Sequence, residues 1–342
     1  MRMIINFISI LNKKKRLVVN MKNFKFLLVG ALALTLAACG EENKQADGNA
    51  STDKVEMEQQ VETGGTVTLI DDLGNQLEFE ATPSSVATLN PGMMDILLAL
   101  GANVTGRPTI TSDMKEEVKT IQEIGNPHEP SFEQIVALNA EILIVPPSFQ
   151  QFATTVEATG TKIVYSTMNS IDDIKNTIKK YGALFNNMAT AEKLVAQIDE
   201  KIAQGATQST LDALIVYGAP GTYLAALDNS LYGDILKNAG GKNIAADLPA
   251  TDKFPTYANL SVEKIVERNP KVIMLITHAN PATVKEGFEK QLKENAAWKN
   301  LDAVKNNQII ILPADLFDNP GTQVIEAIDY MRDVLKTAEE AA

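Results

Sequence analysis

The chain has 342 residues, with 31 Lys plus Arg against 43 Asp plus Glu, a formal net charge of −12, one cysteine and two histidines. So acidic a balance argues against nucleic acid as a partner. Common enzyme signatures are missing as well: there is no Gly-x-Ser-x-Gly elbow and no HExxH, and two histidines leave a catalytic triad without independent support.

Residues 21–40, MKNFKFLLVGALALTLAACG, place two lysines before an apolar run of about a dozen residues that ends in small residues and the cysteine. The run is short for a membrane span and has the order of a secretory signal, so 1–38 is expected to be removed. LAAC resembles a bacterial lipobox, which makes Cys39 the expected lipidated first residue. Residues 1–20, with KKKR at 13–16, either extend the basic segment or precede a start at Met21. Loss of the seven basic residues of 1–38 leaves 24 basic against 43 acidic residues, a formal −19. Residues 39–64 are polar apart from the anchor and read as a flexible tether.

From residue 66, TVTLI, DDLGN and QLEFE read as a hairpin. Strand candidates follow at 84–89, 141–145, 161–166, 211–218, 223–227, 271–277 and 308–312. Between them lie the helical stretches GMMDILLALG, SFEQIVAL, IDDIKNTIKKYGALF and LSVEKIVERN, and a last run from Gln323 to Glu340. The alternation predicts an α/β protein of parallel βα units. Residues 187–208 break the rhythm as one amphipathic helix, about 30 Å long at 1.5 Å per residue. It divides the chain into lobes 65–186 and 209–342, with a ligand cleft expected between them.

Open parallel sheets bind ligands beyond the carboxyl ends of their strands. His278 directly follows KVIMLIT, and His128 lies in the Gly-Asn-Pro loop before SFEQIVAL, so each sits on a loop of a different lobe. They either face each other as ligands across a cleft or are two unrelated loop residues. Met93 and Met94, at the opening turn of a helix, are either core filler or the lining of a pocket. Backbone N–H groups near Gly92 would suit a carboxylate. GAPGTYL (218–224) reads as a tight strand-to-strand turn; no Lys-Ser or Lys-Thr pair follows, so it is not a phosphate loop.

Several stretches carry a resemblance: GRPTI (106–110), EIGNPHEP (123–130), GAPGTYLAALDNSLYGDILKNAGGKNI (218–244), THANPATVKEGFEKQ (277–291) and AAWKNLDAVKNNQI (296–309). From the lipobox to the C-terminus the chain resembles the cluster A (class III) substrate-binding lipoproteins of ABC importers for siderophores, cobalamin and haem. It is most similar to the haem-binding lipoproteins of iron-regulated surface determinant systems. The resemblance implies two lobes on a rigid helix, binding without turnover, and a lipid-anchored monomer at the extracytoplasmic face. The implied partners are haem, a membrane permease and a surface haem-relay protein. It also implies a haem iron held between the lobes, with His278 at the family's axial histidine and His128 where the family has an axial methionine. A family lysine that meets a haem propionate is replaced by Ser112, leaving Thr111, Ser112 and the N–H groups near Gly92 for that role, with Arg107 and Lys115 nearby. Tyr223 matches a family tyrosine that stacks on or bonds to the porphyrin, or else is a core strand residue. Glu129 and Asp234 are candidate permease-docking carboxylates. The alternative reading is a ferric siderophore in the same fold.

Overall fold

The computed structural model describes residues 66–110, 114–204, 211–219, 222–277 and 279–341, all within one compact unit, Val61–Ala342. The expected signal segment, Cys39 and the expected tether lie outside the described residues.

The hairpin β1 (Val67–Ile70) and β2 (Gln76–Phe79) is antiparallel, with Val67 opposite Phe79. Its turn is organised by Asp71, whose carboxylate accepts from Leu73 N (3.0 Å), Asn75 N (2.8 Å) and Asn75 Nδ2 (2.9 Å), while Gly74 supplies a φ of +85°. Five short strands then form the first sheet: β3 (Val86–Thr88), β4 (Val104–Arg107), β5 (Gln122–Glu123), β6 (Ile142–Val145) and β7 (Lys162–Tyr165). Their order is β5-β4-β3-β6-β7 and every pairing is parallel. The sequence ILIV of β6 is buried throughout, as expected of a strand covered on both faces.

The second sheet contains β8 (Asp212–Ala219), β9 (Thr222–Ala226), β10 (Lys242–Asn243), β11 (Tyr257–Asn259), β12 (Val272–Ile276) and β13 (Ile309–Ile311). The order is β11-β9-β8-β12-β13, with β10 also on β8. β8, β12, β13 and β10 run parallel, whereas β9 returns antiparallel to β8 with Ala219 opposite Thr222; Pro220 and Gly221, where GAPGTYL is expected to turn, lie outside the described residues.

Between the two sheets the two helices expected from the sequence pack as a hairpin. Helix Ile171–Leu184 is capped by Ser170, which accepts from Asp173 N at 3.0 Å, and buries Ile171, Ile174, Ile178 and Tyr181 at helical spacing. Asn186, at φ +53°, turns the chain into helix Met188–Ala203, which packs back on it. This second helix has 16 residues, about 24 Å at the usual rise; residues 205–208 of the expected 187–208 lie outside the described ones. The C-terminal helix Val324–Ala341 packs on it and on helix Leu231–Asn238. Arg332 binds the three together, its Nη2 donating to the carbonyls of Lys201 (2.9 Å), Ile202 (3.3 Å) and Asn238 (3.4 Å) at two helix C-termini.

One hydrophobic cluster runs without a break from Met93 and Ile144 in the first lobe, through Ile174 and Val195, to Met274 and Met331 in the second. Two satellite cores cover the outer faces of the sheets. The lobes are also riveted at helix Pro91–Ala99. A Cβ on Gly92 would stand 2.5 Å from the Asn319 carbonyl oxygen and 2.8 Å from Gly321 N. Beside it Asn90 Nδ2 donates to Asn319 Oδ1 at 2.6 Å, and Asp95 accepts from Thr322 N at 2.9 Å.

Asp234 forms a second joint. Its Oδ2 accepts from Ile171 N at 2.7 Å and its Oδ1 from Asn238 Nδ2 at 3.1 Å, so this residue, read as a docking carboxylate, is half-buried and ties helix 231–238 to the start of helix 171–184. Burial pushes its pKa above the ordinary carboxylate value and Asp172 adds to this, while the Ile171 N–H, Lys237 and Asn238 only partly oppose it. A raised folded-state pKa means that the group favours folding most at low pH and that this contribution is lost as pH rises through the folded pKa. Wild type is therefore expected to gain stability relative to Asp234→Asn as pH falls from 7 to 4 in urea unfolding; a constant or widening deficit would contradict the placement.

Candidate functional site

Where the lobes meet, loops from both sheets enclose a cleft of about 290 Å³. The first lobe contributes Asn90 after β3, Pro146 and Pro147 after β6, and Ser166 to Asn169 after β7. All three segments lie at carboxyl ends of parallel strands, where such sheets bind ligands. The second lobe contributes Tyr232, Tyr257, Asp318 and Asn319. Larger hollows of about 590 Å³ beside the hairpin and about 430 Å³ along helix 188–203 are not lined by both lobes.

The second-lobe wall is phenolic. Tyr232 donates to Asp318 Oδ1 at 2.8 Å, and the rings of Tyr217 and Tyr257 lie 5.7 Å apart. Burial, then the Asp318 charge, drives the Tyr232 hydroxyl far above its ordinary pKa; burial and Tyr217 push Tyr257 up to about 12. These hydroxyls are therefore neutral hydrogen-bonding groups near pH 7.

His128 occupies the tip of a closed turn. Asn126 Oδ1 accepts from the backbone N of His128 (2.9 Å) and of Glu129 (3.0 Å), and Ser131 N returns to Ile124 O at 2.9 Å. Gly125, at φ +92°, is required because a Cβ would collide with the Glu129 carbonyl. Thr109 N donates to Gly125 O at 2.8 Å and anchors the turn to the segment after β4. The His128 side chain is exposed, and among the described residues no hydrogen bond or ion pair holds its ring. Thus the backbone is fixed while the imidazole stays available.

The other expected site residues fare differently. His278, Thr111 and Ser112 lie outside the described residues. Met93 and Met94 belong to the core, 1% and 7% exposed, rather than to a pocket wall. Nor is the helix start at Gly92 open to a carboxylate, because Asn319 and Gly321 close over it and Met93 N is taken by Asn90 Oδ1. Tyr223 is half-buried in β9, its ring 4.8 Å from Phe288 and its hydroxyl 3.4 Å from the Val284 carbonyl, so helix Pro281–Glu294 supplies its partners. Arg107 is buried and committed to Glu123 (3.1 Å) and to the carbonyls of Ile121 (3.1 Å) and Pro108 (3.0 Å), whereas Lys115 and Glu129 are exposed.

Asp318, Tyr232 and Tyr257 escaped the sequence reading. For Asp318 the available signal was its place in DLFDNPG, shortly after the strand QIIIL. Among the described residues no three His, Cys, Asp or Glu side chains converge to hold a metal ion.

Comparison with known proteins agrees with this architecture. The chain is 30% identical over 239 residues to the high-affinity heme uptake system protein IsdE of Staphylococcus aureus, an alignment covering 68% of this chain and 78% of that protein. The structure of S. aureus IsdE complexed with heme matches with a TM-score of 0.64 at 26% identity, over 73% of this chain and 98% of that one. An ABC transporter substrate-binding protein from Listeria monocytogenes gives 0.63 at 26%, over 74% and 98%. The siderophore-binding protein BauB gives 0.62 at 22%, over 80% and 99%, a likeness of fold alone. Residues 86–316 match the periplasmic binding protein family, and the chain belongs to that family of substrate-binding proteins.

Proposed function

We propose that this substrate-binding protein of an ABC importer captures haem at the cell surface and delivers it to a membrane permease, with His128 and His278 as axial ligands of the iron. The observation that carries the reading is the rigid turn that presents an unengaged, exposed imidazole at His128. His128 follows the carboxyl end of β5 by five residues, and His278 follows that of β12 by two. The 30% identity to a heme uptake protein supports the ligand class.

Chemically, imidazole and thioether both ligate haem iron, and a thioether raises the reduction potential; two imidazoles therefore favour the ferric state. The cleft, about 290 Å³, is at the lower end of small-molecule sites, so it would take one edge of a macrocycle whose remainder lies between the lobe rims. Cleavage before Cys39, lipidation there, a monomeric state and receipt of haem from a surface relay protein complete the proposal. No helix among the described residues is long and apolar enough to cross a membrane.

Haemin titration followed at the Soret band tests the ligand. Saturation at one haem per chain is expected; a linear, non-saturating response would remove haem from the reading and leave a ferric siderophore as the alternative.

A further inference from the structure

The turn of the β1–β2 hairpin is tied to the loop that follows β7. Asp72 N donates to the Tyr165 carbonyl at 3.0 Å and Asp71 Oδ2 accepts from Tyr165 N at 3.2 Å, so the turn is stitched to the end of that strand. Just beyond it, Asp72 Oδ2 accepts from Thr167 N at 2.6 Å and from the Ser166 and Thr167 hydroxyls, each at 3.3 Å. Lys180, on helix Ile171–Leu184, pairs with Oδ1 of the same carboxylate. Bonds to an ionised acceptor are about twice as strong as those between neutral groups. On either side, Ser166 N donates to the Val145 carbonyl at 2.9 Å and Asn169 N to Asp173 Oδ2 at 3.0 Å.

These bonds fix a loop that lines the cleft. Residues 166–169 all belong to its first-lobe wall, where the half-buried Met168 supplies apolar surface together with Pro146 and Pro147. The amides on both sides of Met168, those of Thr167 and Asn169, are each held by a carboxylate. A thioether packs favourably against a conjugated ring. A wall that is ordered before the ligand arrives also loses less freedom on binding. The hairpin itself precedes residues 86–316, which match the family.

We infer that Asp72 is a positioning residue for ligand binding: it holds the loop 166–169 in one arrangement and through that loop sets Met168 against a conjugated ligand. The inference rests on the proposed function only in placing the ligand in this cleft.

Hydrogen exchange of the 166–169 amides in the ligand-free chain reads the loop. Binding is read with two probes, haemin at the Soret band and a ferric tricatecholate by quenching of the single tryptophan, Trp298. Asp72→Ala is expected to speed exchange at Thr167 about tenfold or more, and to weaken whichever probe the wild type binds about tenfold. Asp72→Asn returns an acceptor oxygen to Thr167 N and should recover most of both. Met168→Ala should weaken binding about threefold. In that background Asp72→Ala should cost less than about fivefold, because the two residues act through one contact. Asp72→Ser takes the place of Asp72→Ala if the alanine variant does not fold.

The inference is overturned if Asp72→Ala leaves exchange at Thr167 or probe affinity unchanged, if Asp72→Asn recovers neither, if the two substitutions simply multiply, or if the wild type binds neither probe. A wild type that binds the tricatecholate and not haemin would remove haem from the proposed function, while the same comparisons made with the tricatecholate still decide the role of Asp72.

Discussion

Replacing His128 and His278 together with alanine is expected to weaken haemin binding on the order of a hundredfold, about 2.7 kcal/mol. An iron without protein ligands leaves only burial of the macrocycle and its edge contacts. The single variants should each lose the low-spin signature while retaining part of the affinity. His128→Met makes a sharper test, because it restores a thioether at a turn whose backbone is already fixed by Asn126 and Gly125. The haem reduction potential should rise in that variant while one haem per chain is retained. Potentiometric titration checks this; an unchanged potential would place the iron away from His128.

The second large effect concerns the joint rather than the ligand. Gly92 lies in the first turn of helix Pro91–Ala99, where helix propensity alone would make alanine better by about 1 kcal/mol. The contact argues the other way. The added Cβ would stand 2.5 Å from the backbone carbonyl oxygen of Asn319 and 2.8 Å from Gly321 N, and backbone cannot rotate aside as a side chain would. Overpacking of this kind costs about 1–3 kcal/mol, and the wedge also stretches the Asn90–Asn319 and Asp95–Thr322 bonds. Gly92→Ala is therefore expected to destabilise the protein by about 2 kcal/mol net, and Gly92→Val by more. A lowered urea midpoint measures this. A Gly92→Ala midpoint equal to or above that of wild type would mean that the lobes separate at little cost.

Local features were legible in the sequence. ILIV and VIMLI read as strands because continuous apolar runs suit sheets covered on both faces, and β6 and β12 are buried throughout. Asn90-Pro91 announced a helix start, and the cap is formed. The antiparallel pairing of the strands on either side of GAPGTYL was legible because strand signals lie close together there. Helix Pro281–Glu294 was passed over, although Val284, Phe288 and Leu292 recur every four residues, because charged residues and Gly287 dilute the pattern.

Contacts between distant residues were not legible. Asn90 meets Asn319 across 229 positions, and Tyr232 meets Asp318 across 86. Neither pair leaves a periodic trace, so Gly92 looked like an open helix start and Asp318 did not stand out. Arg107 stood in sequence near the residues expected at the propionates; in the structure it ends β4 and spends its donors on backbone carbonyls and Glu123. In the site itself, the loop placement of His128 followed from turn chemistry, whereas the phenolic wall depends on how the second sheet meets the first.

The most direct test of the account is the ligation state of the iron in the haem-loaded chain, read by low-temperature electron paramagnetic resonance together with the visible spectrum. The account predicts a six-coordinate, low-spin ferric signal of the bis-imidazole type that disappears in both His128→Ala and His278→Ala. A five-coordinate, high-spin signal in the wild type, or a low-spin signal that survives either substitution, would contradict it.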